Sequence, residues 1–200
     1  MSYTQIVLAS RSPRRSQLLR QIGVPHEVLP VDFDEARLEG ESPRAYVQRL
    51  AGDKALHARE VAGDPAARPL LAADTVVVLD EEIFGKPASE KDCERMLGAL
   101  SGRTHEVMTA VALHCAGSVR LELSVSRVTF RPIGLGERGA YWRTGEPADK
   151  AGGYAIQGLG AVFVERLEGS YSGVMGLPLF ETARLLRDAG VPAWQEQKIP

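Results

Sequence analysis

Apolar residues along the chain gather into short runs and helical stripes, and the two kinds alternate. Gln5 to Ala9 is a brief apolar run broken by Ser10 to Ser12, the pattern of a buried strand. Ser12 then supplies an N-cap and Pro13 a first helical residue, Leu18, Leu19 and Ile22 form a stripe, and Gly23 marks the end of a helix of about ten residues. A second strand over Glu27 to Val31 runs into an acidic knot of Asp32, Asp34 and Glu35. Ser42 and Pro43 repeat the start signal for a longer helix to about Ala62, with Val47, Leu50, Ala51, Ala55, Ala58 and Val61 on its apolar face.

Leu70 to Leu79 is the strongest strand, bounded by Pro69 and Asp80, and Ser89 with Asp92 resembles a capping box that opens a helix to about Leu100. Thr104 to Cys115 and Val119 to Arg131 read as antiparallel strands joined through Ala116, Gly117 and Ser118. A helix over Glu137 to Arg143, a glycine-rich segment from Gly152 to Gly160, a strand over Ala161 to Arg166 and a last helix from Pro178 to Ala189 complete the reading. Strands alternating with helices, plus one hairpin, predict a mixed α/β sheet flanked by helices.

Composition narrows this picture. With 200 residues, 44% of them hydrophobic, the chain is expected to form one continuous domain, residues 1–200, that needs no disulfide or structural metal. Gly63 to Pro69 and Gly134 to Gly145 are its candidate joints. Lys and Arg number 24 against 26 Asp and Glu, so the formal charge of −2 argues against a nucleic-acid partner and confines any phosphate affinity to a local cluster. Cys93 and Cys115 match no metal or redox spacing and read as reduced thiols. Met1 to Ala9 lacks a basic leader region and no apolar run is long enough for a bilayer, so neither a signal peptide nor a membrane partner is expected, and the cytoplasm is the expected location.

Four features stand out from the structural pattern, although the arginines and Lys54 can also be read as solvated or snorkelling side chains. Asp74 interrupts a strand that otherwise reads as buried on both faces, where an ionised carboxylate costs several kcal/mol without a compensating partner. Arg14 and Arg15 follow Ser10 and Ser12 in the first turn of a helix, an unfavourable place for cations unless an anion sits at the helix end. Lys54 lies on the apolar face of its helix, where lysines ordinarily snorkel. Lys86 sits between Gly85 and Pro87 in the turn after the strong strand.

Several familiar chemistries are excluded. Asp80 and Pro87 break a Walker A reading around Lys86. Gly158 and Gly160 lack a third glycine at Phe163 and precede a strand, so they are no dinucleotide fingerprint. His26, His57, His105 and His114 have no zinc spacing, and Tyr171 stands where a hydrolase elbow needs serine; Tyr171 and Ser172 read as turn residues. Carboxylates beside several cations suit hydrolysis of a phosphate ester or anhydride.

At this point the chain resembles a known family, the Maf nucleotide pyrophosphatases, over nearly its whole length. The resemblance rests on Leu8-Ala9-Ser10-Arg11-Ser12-Pro13-Arg14-Arg15, Asp34-Glu35, Asp53-Lys54-Ala55, Ala73-Asp74-Thr75, Gly85-Lys86-Pro87, Leu100-Ser101-Gly102, the stretch from Asp149 to Gly158, and Gly176-Leu177-Pro178. It implies two lobes around a central cleft, similar to inosine triphosphate pyrophosphatases and often assembled as homodimers, with a divalent cation, Mg²⁺ or Mn²⁺. The implied reaction splits a nucleoside triphosphate between its α- and β-phosphates. Asp74 would be the base or metal-bound carboxylate and Glu35 a second metal ligand, with Ser10, Ser12, Arg14, Arg15, Lys54 and Lys86 holding the triphosphate. The stretch around Gln157 looks like the branch acting on dTTP and UTP rather than 7-methyl-GTP, with Arg14, Thr75 and Gln157 as specificity positions. An amide can both donate to and accept from a pyrimidine edge, and modified pyrimidine nucleotides carry the same edge. The competing reading is a nucleotide-binding regulator of septum formation in cell division.

Overall fold

Every predicted helix and most predicted strands form in the computed structural model, which describes residues 6–63 and 68–194. In chain order the elements are β1 (Ile6–Ala9), α1 (Pro13–Gln21), β2 (His26–Val28), α2 (Pro43–Ala62), β3 (Leu70–Leu79), β4 (Glu82–Phe84), α3 (Glu90–Leu100), β5 (Thr104–Cys115), β6 (Ser118–Phe130), α4 (Leu135–Trp142), β7 (Val164–Glu168), α5 (Tyr171–Met175) and α6 (Leu179–Asp188). Local chemistry sets several boundaries. Ser42 Oγ accepts from the Ala45 amide at the start of α2, and Ser89 Oγ accepts from the Asp92 amide at the start of α3. Ala116 and Gly117 both take positive φ in the turn between β5 and β6, the twist a two-residue hairpin requires.

The strands form one mixed sheet in the order β2-β1-β3-β5-β6-β7, with β4 also paired to β3. β1 runs parallel to both neighbours, and the rest of the sheet is antiparallel. β5 occupies one edge of β3 from Leu70 to Val78. On the opposite edge β1 pairs with residues 70–72 and β4 with residues 77–79. Residues 73–76 therefore have no strand beside them on that edge, and the sheet is open there.

Strand periodicity sorts the core. Leu70, Ala72, Val76 and Val78 face α2 and meet Val47, Ala51, Ala55 and Ala58. On the other face Leu71 and Ala73 pack with α1 and α6, while Val77 and Leu79 pack with α3 and Tyr141. These two clusters divide that face of the sheet. Between them Thr75 pairs with Thr109, which pairs with Ser124, so a row of hydroxyls crosses three strands where apolar packing stops.

The structure corrects several boundaries. β2 stops at Val28, short of Val31, because Pro30 has no N–H for the ladder. Val61 is exposed, past the end of the buried stripe of α2. The predicted strand from Ala161 begins instead within a 3₁₀ turn, Leu159–Phe163, and β7 starts only at Val164, because the Ala161 amide turns back to the Gly158 carbonyl rather than to a neighbouring strand. Gly134 to Gly145 is no joint: it holds α4, which packs on α3. The other candidate joint, Gly63 to Pro69, lies partly outside the described residues. Tyr171 and Ser172 open the short helix α5 instead of a turn, and β4 was not predicted. Among the described residues no helix is long and apolar enough to cross a membrane.

Candidate active site

The break in the sheet edge opens into a cleft of about 700 Å³. Because it lies at the end of a strand pairing, residues from both faces of β3 reach it: Asp74 from the α2 face and Thr75 from the opposite face. The predicted residues Ser10, Ser12, Arg14, Arg15, Glu35, Lys54, Asp74, Thr75, Lys86 and Gln157 all line it.

Asp74 is 7% exposed, and its partner is Lys54. The lysine does not snorkel. Its Nζ donates to Asp74 Oδ1 at 2.6 Å and to Glu35 Oε1 at 2.5 Å, linking β3, α2 and the loop after β2. Two positions that each break the apolar pattern are thus one ion pair. Tyr46, one helical turn or so before Leu50 on α2, donates its hydroxyl to the Glu35 carbonyl at 2.7 Å and holds that loop against the helix.

The two carboxylates that share the lysine are not shifted alike. Burial raises the pKa of Asp74 more than the charges of Lys54 and Arg15 lower it, so this carboxyl binds a proton more readily than an ordinary aspartate. Burial also disfavours ionisation of the half-exposed Glu35, but its bond to Lys54 and the nearby charges of Lys86 and Arg15 outweigh that, and its pKa is lowered. The two neighbouring acids are therefore shifted in opposite directions, Asp74 towards the protonated form and Glu35 towards the charged one.

The entrance to α1 supplies the anion-facing side. Ser12 caps no amide with its side chain; its own N–H donates to Ser10 Oγ at 3.1 Å. Arg15 is fixed by three bonds, to the Gly176 carbonyl at 2.7 Å, Thr75 Oγ1 at 3.3 Å and Ser10 Oγ at 3.4 Å. Burial lowers its pKa, partly offset by Asp74. Arg14 reaches across the cleft to Asp149 Oδ2 at 3.5 Å, and Lys150 pairs with the same carboxylate.

Glu35 and Asp74 already converge on one cationic centre, the Lys54 ammonium, and offer the hard oxygen donors that Mg²⁺ and Mn²⁺ favour. Among the described residues no group of three or more His, Cys, Asp or Glu side chains could hold a metal. The donor set therefore fits a cation to which the protein would contribute few ligands, not a cage made by protein alone.

Sequence reasoning missed the contacts of Tyr46, Thr109 and Asp149. Thr109 carries the signal that revealed Asp74, a polar residue inside an apolar strand: it is 1% exposed and bonds both Thr75 Oγ1 (3.0 Å) and the Gly173 carbonyl (2.7 Å).

Residues 5–189 match the family described as Maf-like protein. A dTTP/UTP pyrophosphatase of Saccharophagus degradans is 56% identical over 191 residues, 95% of this chain and 91% of that protein. One of Methylococcus capsulatus is 56% identical over 187 residues, 94% and 92% of the two chains. Among solved structures, a nucleoside-triphosphatase / dITP/XTP pyrophosphatase of Mycobacterium abscessus aligns over 92% of this chain and 93% of its own, with 18% identity and a TM-score of 0.43, a likeness too slight to argue from.

Proposed function

This chain belongs to the Maf-like protein family, and on that premise we propose that it hydrolyses dTTP and UTP to the nucleoside monophosphate and pyrophosphate. The observation that carries the reading is Asp74: a buried carboxylate with a raised affinity for protons, held by Lys54 at the floor of a cleft ringed by cations. Relatives more than half identical over nearly the full length bear the same activity in their names.

Each residue then has a task. Arg14, Arg15, Lys86 and the amides at the start of α1 bind the triphosphate, with Ser10 and Ser12 completing that surface. Lys54 keeps Asp74 turned into the cleft, where its carboxylate takes a proton from the attacking water. Glu35 and Asp74 would hold the divalent cation, which supplies charge neutralisation on the phosphate oxygens. Thr75 and Gln157, with Arg14, contact the nucleoside and set the preference for a pyrimidine; modified pyrimidines present the same edge. The relatives are named for this hydrolysis, so the division-regulator reading is not favoured.

A triphosphate panel with Mg²⁺ or Mn²⁺ tests this. Pyrophosphate should appear fastest with dTTP and UTP, and orthophosphate as sole product would refute cleavage between the α- and β-phosphates. Asp74→Asn should lower kcat by at least ~10²-fold. Unchanged turnover would remove Asp74 from its role.

A further inference from the structure

Gln157 sits in the cleft on a turn that one carboxylate and one phenol pin from both sides. Tyr141, at the buried face of α4, donates its hydroxyl to Glu146 Oε1 at 2.6 Å and accepts from the Ala155 amide at 3.1 Å. Glu146 also accepts from the Leu159 amide at 2.9 Å and the Gly160 amide at 2.9 Å. The bonded amides lie two residues before Gln157 and two and three after it. Burial works against the charge of Glu146, but the Tyr141 hydroxyl and the Leu159 and Gly160 amides outweigh it and lower its pKa.

This bracket explains the two glycines that fit no nucleotide fingerprint. A Cβ on Gly158 would lie 2.1 Å from Glu146 Oε2, and one on Gly160 would lie 2.6 Å from the Tyr141 hydroxyl. Both positions must lack a side chain for the carboxylate and phenol to reach the backbone.

We infer that Glu146 and Tyr141 are positioning residues for base selection, acting through the backbone of Gln157. This rests on the pyrimidine triphosphatase reading above. A glutamine amide has a donor end and an acceptor end, so a loosely held Gln157 suits cytosine as well as uracil. Selection between them depends on where the backbone holds the amide, and a polar group placed to meet one hydrogen-bonding edge rejects the wrong edge strongly.

The test is the ratio of kcat/KM for UTP to that for CTP in Glu146→Gln, Tyr141→Phe and Gln157→Ala, alone and combined. The ratio does not depend on how much enzyme is folded, so a merely structural role would leave it unchanged while activity and Tm fell. The Gln variant loses an acceptor opposite the backbone amides, and the Phe variant removes the hydroxyl while keeping the ring. Each should reduce the ratio about tenfold, the scale of one well-placed hydrogen bond. Adding either to Gln157→Ala should bring little further loss, since all act on one contact. If Glu146→Gln does not fold, Tyr141→Phe decides. A wild-type preference for UTP retained in the folded variants overturns the inference alone; equal rates with UTP and CTP in the wild type overturn the functional reading and this inference with it.

Discussion

A buried charge announces itself in a sequence because the alternative to a function or a partner is an energetic loss, and Asp74 and Lys54 were both visible on that ground. What the pattern did not show is that each compensates the other, because residues 20 apart meet only through the packing of α2 on β3. Glu35 and Gln157 are polar residues in places that tolerate polarity, so no physical misfit marks them; they are legible only through family resemblance. His105 is a buried group of another kind. It is 2% exposed, stacks edge-on against Phe130 and Tyr154, and bonds the Tyr154 hydroxyl at 2.9 Å. Burial pushes its pKa down from 6.5 to about 4. Between those values the unfolded chain takes up a proton that the folded one refuses, so the stability His105 contributes is full above pH 6.5 and is lost as the pH falls towards 4. Urea unfolding at pH 7 and pH 4 should show the wild type losing on the order of 3 kcal/mol more than His105→Phe. Parallel losses would show that His105 is protonated in the folded protein.

At the scale of elements, what could be read depended on how local the stabilising chemistry is. α2, β3, α3 and the β5–β6 hairpin carry their period and their caps or turn residues within their own sequence, and their predicted spans agree with the structure to within a residue or so. β4, α5 and the 3₁₀ turn at Leu159–Phe163 do not. β4 follows a turn in which Asp80 and Glu81, not glycines, take positive φ, so the usual hairpin signal is missing. α5 is five residues long and its start is fixed from outside, by Ser126 Oγ accepting from the Ser170 amide, as well as by Ser170 Oγ capping Gly173. The capping of α3 separates stability from catalysis. Its N-terminus is held by Ser89 Oγ, and its buried side, Cys93, Met96, Leu97 and Leu100, packs in the cluster under α4 without lining the cleft. Ser89→Ala should lower unfolding free energy by about 1 kcal/mol and leave kcat/KM for UTP unchanged. A fall in kcat/KM beyond the loss of folded protein would mean that α3 transmits to the site.

The whole molecule is weakly acidic, yet its charge is unevenly spread. Six basic side chains, Arg11, Arg14, Arg15, Lys54, Lys86 and Lys150, line the cleft against four acidic ones, Asp32, Glu35, Asp74 and Asp149, within a chain of formal charge −2. The rest of the surface therefore repels polyanions while the cleft attracts them, and the attraction is confined to a recess set where β1 ends and β4 has not begun. Such a field favours a short, compact polyanion over an extended one, since a long strand must lie across the repelling surface to reach the recess. Inorganic tripolyphosphate isolates this effect because it has the charge of the substrate and no base. At a hundred times its Kd it should add about 2.7 kcal/mol to the unfolding free energy, visible as a rise in Tm that shrinks with added salt and with Lys86→Ala. A twenty-nucleotide single-stranded DNA at equal phosphate concentration should leave Tm unchanged. Equal stabilisation by both ligands would show that the basic surface extends beyond the cleft, and no response to tripolyphosphate would place the binding energy in the base rather than in the phosphates.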